Sequence, residues 1–143
     1  MTTLKLLAAL FVITVAAPKI EITEVWMRPN GEGMNTAVFA KIKNNSDKPD
    51  TLFAVESGLA KVVEIHESYE KDGKMKMRKI DYLVVPAKKT VEMKPGGLHI
   101  MLIKLKQDIK KGEKHEIGFK FRKAGTVKVK IPASDKSPST KNH

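Results

Sequence analysis

Cysteine is missing from all 143 residues, and its absence closes several chemistries at once. Without a thiol there can be no disulfide framework, no thiolate metal site, no cysteine nucleophile and no blue-copper centre, whose copper needs a Cys ligand. Aromatic residues make up only 6%, which is low for a surface built to stack bases or sugars. Arginine is also scarce. Only Arg28, Arg78 and Arg122 stand among 27 basic residues, so the net charge of +11 is almost all lysine. Arginine is the residue suited to bidentate phosphate and base-edge contacts, so a nucleic-acid partner is not expected. The lysines fit a solubilising surface, or steering toward an acidic partner or an anionic membrane.

Long apolar runs are missing too. The one candidate, Leu6 to Ala17, is about the length of a signal-peptide core and short of the roughly 20 residues that span a bilayer. Residues 1–17 are therefore expected to be a signal peptide or an uncleaved N-terminal anchor, so that the protein is exported, free or membrane-tethered. No Gly-rich phosphate loop, no Gly-x-Ser-x-Gly elbow and no paired carboxylates occur, so no enzyme and no small-molecule substrate is expected.

What is present is an all-β rhythm. Short apolar stretches with a period of two alternate with turn sequences such as Arg28-Pro29-Asn30-Gly31, Lys71-Asp72-Gly73 and Pro95-Gly96-Gly97. Strands are expected near 19–27, 36–43, 51–56, 61–68, 75–85, 90–93, 98–106, 114–121 and 125–131. Strands of this length and spacing make a two-sheet sandwich, a single domain over 18–132. The Ser, Lys and Pro of 133–143 carry no apolar pattern and read as a disordered tail.

Two of the four histidines sit on expected strands beside methionines. In Leu98-His99-Ile100-Met101-Leu102 the apolar Leu98, Ile100 and Leu102 share one face, and His99 and Met101 share the other. Residues two apart on a strand are roughly 6 to 7 Å apart, so an imidazole and a flexible thioether can converge on one ion. Val63 and Ile65 likewise point one way, and His66 the other with Glu64. Either Glu64 or Glu67 could orient the His66 imidazole. In Lys74-Met75-Lys76-Met77-Arg78 two thioethers share a face of a cationic segment, so Met77 is a fourth donor and Met75 a substitute or a cover. Thioethers are soft donors that suit copper(I), whereas calcium and magnesium need oxygen and structural zinc favours cysteine. His115 has no Met neighbour and reads as surface. Trp26 reads as core, and Met27, Met34 and Met93 as core or rim packing.

The spacing His66-x10-Met77-x21-His99-x-Met101 resembles that of the PCu(A)C family of periplasmic copper chaperones. Similar neighbourhoods are Trp26-Met27-Arg28-Pro29, Lys43-Asn44-Asn45, Val63-Glu64-Ile65-His66-Glu67, Gly73 to Arg78, and Pro95-Gly96-Gly97-Leu98-His99-Ile100-Met101-Leu102. The resemblance covers Ile20 to Ile131. It implies a cupredoxin-like Greek-key β-sandwich that acts as a monomer. It further implies one copper(I) held by His66, Met77, His99 and Met101, and delivery for assembly of the Cu(A) centre of cytochrome c oxidase. Oxidase subunit II and Sco-type copper proteins would be its partners. The competing expectation is an exported β-sandwich protein-binding module whose His and Met residues are structural.

Overall fold

Period-two alternation in the sequence becomes ten strands in a computed structural model that describes residues 3, 8–12 and 18–138. These are β1 (Ile20–Met27), β2 (Thr36–Asn44), β3 (Asp50–Glu56), β4 (Ala60–Lys71), β5 (Lys74–Ile80), β6 (Leu83–Val85), β7 (Thr90–Met93), β8 (Leu98–Leu105), β9 (Lys114–Phe121) and β10 (Gly125–Pro132). Most of the expected leader and residues 139–143 of the tail lie outside the described residues. Among the described residues no helix is long and apolar enough to cross a membrane.

The strands form two antiparallel sheets. One runs β1-β2-β8-β4-β5, with β7 also paired to β2, and the other runs β10-β9-β3-β6. Neighbours such as β2 with β8 and β3 with β9 are distant in sequence, so connections cross between the sheets in the Greek-key manner. The inward faces supply a core that includes Met27, Val38, Ile42, Leu52, Ile65, Val85, Ile100, Leu102, Ile117, Phe119, Phe121 and Ile131. Burying this much apolar surface is the main favourable contribution to folding, at roughly 25 cal/mol per Å².

The expected single strand over 75–85 is two. β5 pairs with β4 in the larger sheet, and after a bend at Asp81-Tyr82 the chain crosses so that β6 pairs with β3 in the smaller one. Ile80, Tyr82 and Val84 keep a period of two across the bend, so local pattern alone does not reveal it. The sandwich also extends past residue 132. Ala133 is buried, its N–H donates to the Glu113 carbonyl at 2.8 Å, and the Ser134 N–H donates to the Met27 carbonyl at 2.9 Å.

Candidate metal centre

Two strands and one turn set the geometry. β4 and β8 pair so that His66 lies directly opposite His99, Glu64 opposite Met101 and Ile65 opposite Ile100. Directly opposed residues share a face. Ile65 and Ile100 enter the core, and His66, His99 and Met101 all stand on the outer face of the six-stranded sheet. The third contributor is a hairpin. Asp72 (φ 52°) and Gly73 (φ 73°) form a two-residue loop with both central residues at positive φ, the geometry that matches the twist of a β-hairpin. That turn fixes Lys71 opposite Lys74, and hence Ser68 opposite Met77 and His66 opposite Lys79. Met77 is thereby delivered to the face that carries the two imidazoles.

The imidazoles are held in defined states. His99 is 4% exposed, and its Nδ1–H donates to the Gly97 carbonyl at 3.1 Å. The same carbonyl accepts the Ser68 N–H of β4 at 3.0 Å, which ties the His99 ring to the strand that carries His66. On the other ring, His66 Nε2 meets the Glu64 carboxylate at 2.7 Å. Nε2 of His99 and Nδ1 of His66 are left buried with no hydrogen-bond partner. The ring centroids are 5.6 Å apart at 62°. An unpartnered buried nitrogen is costly unless something occupies its lone pair, and here two such nitrogens belong to neighbouring rings.

Beside them is a cavity of about 280 Å³ lined by Met77, His99 and Met101 together with Arg28, Phe39 and Ser68. Phe39 stacks on Trp26 at 4.6 Å and lies 6.3 Å from the His99 ring, so one wall is aromatic. Burial pushes the His99 imidazolium below its ordinary pKa of 6.5, with smaller contributions in the same direction from His66 and Arg28, against the Gly97 hydrogen bond. A neutral imidazole with its Nδ1–H occupied offers Nε2 as a donor. Among the described residues no three His, Asp or Glu side chains gather, so no hard oxygen-rich site competes with this one. A larger open groove of about 510 Å³, lined by residues including Glu56, Lys61, Glu116 and Lys128, contains neither His nor Met.

All four residues expected from the sequence thus stand on one face of the sheet, and of them Met77, His99 and Met101 line the cavity while His66 reaches it through its contact with the His99 ring. Met75 does not join them: it is 62% exposed and outside the cavity lining. Glu64, not Glu67, orients His66, because Glu67 is taken by Arg78 at 2.9 Å. His115 lies in the other sheet, half-buried beside Glu113 at 3.9 Å, not on the open surface. Met27 and Met93 are in the core and Met34 is exposed. Sequence reasoning missed Phe39, Arg28 and the Gly97 carbonyl as parts of the site. Of these, Arg28 and Gly97 had a signal, in the Trp26-Met27-Arg28-Pro29 and Pro95 to Leu102 segments, and Phe39 had none.

Known proteins resemble the chain in sequence and in fold. A family model for LpqE-like lipoproteins matches residues 20–133. The chain belongs to this LpqE-like family, of PCuAC type. Its relative "Putative lipoprotein Lxx21020" of Leifsonia xyli subsp. xyli is 30% identical over 128 residues, spanning 89% of this chain and 76% of that one. The copper-bound PCuAC domain from PmoF2 is 27% identical, with a TM-score of 0.70, over 84% of this chain and 96% of that domain. The copper(I) form of DR1885 from Deinococcus radiodurans in solution is 25% identical, with a TM-score of 0.56, over 80% of each chain. The LpqE-like chain therefore shares its sandwich with domains determined both with and without copper.

Proposed function

We propose that this protein is a copper(I) chaperone that binds one ion through Nδ1 of His66, Nε2 of His99 and the thioethers of Met77 and Met101. The observation that carries the reading is the pair of buried, unpartnered imidazole nitrogens beside a cavity that two thioethers line. Soft thioethers with imidazoles and no thiolate select copper(I) over calcium, magnesium or structural zinc. The copper-bound relatives support the same ion.

A neutral four-ligand set without thiolate holds copper less firmly than a cysteine site, which suits transfer. Met77 is 58% exposed, so this donor is the one an acceptor meets first. The protein acts as a monomeric carrier without catalysis. Its apolar N-terminal segment and its lipoprotein relative support an exported, membrane-associated protein, and we assign it to the periplasm. There it delivers copper(I) for the Cu(A) centre of cytochrome c oxidase, with oxidase subunit II or a Sco-type protein as recipient.

Anaerobic copper(I) titration of the wild type, His99→Ala and Met101→Leu tests this. One tight equivalent in the wild type, lost or strongly weakened in both variants, is expected. Absence of saturable binding in the wild type would leave the exported protein-binding module as the better account.

A further inference from the structure

Arg28 follows β1 directly and is fixed at its backbone: its N–H donates to the Ala37 carbonyl at 3.2 Å, and its carbonyl accepts the Thr36 hydroxyl at 2.6 Å. Its guanidinium lies over two aromatic rings, 5.8 Å from the centre of Trp26 and 5.5 Å from that of Phe39. Both rings are buried, and Phe39 in turn is 6.3 Å from His99. Arg28 lines the same cavity as His99, Met77 and Met101. Lys41 pairs with Glu24, and Arg78, next to Met77 in sequence, pairs with Glu67. Among the described residues no carboxylate pairs with Arg28. A fixed, uncompensated positive charge is thus held against the wall of a cavity proposed to receive a cation.

We infer that Arg28 is a specificity-determining residue that favours copper(I) over copper(II) in this site. The inference rests on the copper reading above. Two imidazoles and two thioethers are neutral, so the charge of the occupied site is that of the ion itself. A nearby guanidinium repels a divalent ion twice as strongly as a monovalent one at the same place. The penalty therefore falls on the ratio of the two affinities. Glu64, bonded to Nε2 of His66 and paired across the strands with Met101, attracts the divalent ion the more strongly and works in the opposite sense, so the Arg28 charge on the cavity wall offsets it. Stacking on Trp26 and Phe39 keeps the guanidinium from swinging away, at no cost in its charge.

The test uses the full chain and three proteins: wild type, Arg28→Lys, which keeps the charge, and Arg28→Leu, which keeps an apolar arm over the rings without the charge and without a donor atom. Copper(I) and copper(II) affinities are measured separately by chelator competition, and the midpoint potential by redox titration. The exposed guanidinium is partly screened, so removing it is expected to raise the copper(II)/copper(I) affinity ratio by roughly three- to tenfold. At about 59 mV per decade for a one-electron couple, the potential of Arg28→Leu then falls by about 30 to 60 mV. Arg28→Lys stays close to wild type, and the difference shrinks at high salt. An unchanged ratio in Arg28→Leu overturns the inference, as does an equal shift in Arg28→Lys, which would assign the effect to packing. Copper(II) binding that remains undetectable in all three proteins counts against it as well. Failure of the wild type to bind copper(I) would instead overturn the chaperone reading.

Discussion

Replacing Glu64 by Ala removes a group that touches no metal ligand atom and should still weaken copper binding. Its carboxylate meets Nε2 of His66 at 2.7 Å, with 23% of the Glu64 side chain and 14% of the His66 side chain exposed. With the proton on Nε2 donated to Glu64, Nδ1 keeps its lone pair and the ring keeps its orientation. Such a half-shielded hydrogen bond to a charged group contributes about 1.5 to 3 kcal/mol. Without it, the His66 ring can rotate or place its proton on Nδ1, and binding must reverse both. The expected loss in copper(I) affinity is about 10- to 100-fold, which corresponds to roughly 1.4 to 2.7 kcal/mol. Glu64→Gln, whose amide oxygen accepts the same N–H, should fall between wild type and Glu64→Ala. Competition with a chromophoric copper(I) chelator measures the affinities, and nitrogen NMR of the imidazole reads the tautomer. An unchanged affinity in Glu64→Ala, with the His66 tautomer redistributed, would refute the reasoning.

Other consequences follow from the same structure. Met77→Leu removes a thioether from the cavity and should weaken copper(I) binding by about tenfold or more, whereas Met75→Leu should change it by less than about twofold; similar losses in both would mean the two methionines share the role. Asp50 is buried, and its carboxylate accepts the N–H groups of Thr51 at 2.8 Å and of Lys123 and Ala124 at 2.9 Å. Asp50→Ala leaves these donors short of partners and should cost about 3 kcal/mol in denaturant unfolding, with copper stoichiometry intact. Burial lowers the folded-state pKa of His99, so between that value and about 6.5 the unfolded chain binds more protons than the folded one. The metal-free protein should therefore have the full His99 contribution to stability above about pH 6.5 and lose it as the pH falls through and below that value. Unfolding curves collected from neutral to acid pH check this, and His99→Gln should flatten the slope.

The parts of the site that local pattern could reveal were legible. Alternation in Leu98 to Leu102 and Val62 to His66 placed His66, His99 and Met101 on the face opposite the core, because a half-buried strand fixes which side each residue takes. Met77 was legible as a thioether in the cationic Lys74 to Arg78 segment, and the hairpin turn at Asp72-Gly73 is what sets its register against β4. What failed was long-range or depended on a local irregularity. The switch of β6 to the second sheet left no break in the period-two pattern. Trp26 read as core, yet the register shift between Thr23 and Trp26, with Glu24 at φ 49°, turns its ring to the outer face against Phe39. Arg28 and Phe39 enter the site only because β2 lies between β1 and β8, and the β2–β8 pairing is one that no neighbouring residues encode. Ala133 is likewise held by contacts to Met27 and Glu113, far away in sequence.

X-ray absorption of the copper(I)-loaded protein tests the ligand set most directly. Two sulfur and two nitrogen scatterers around a single copper are predicted, with one sulfur missing in Met101→Leu and one nitrogen missing in His99→Ala. A shell of nitrogen and oxygen alone, or a sulfur shell untouched by loss of Met101, would contradict the account.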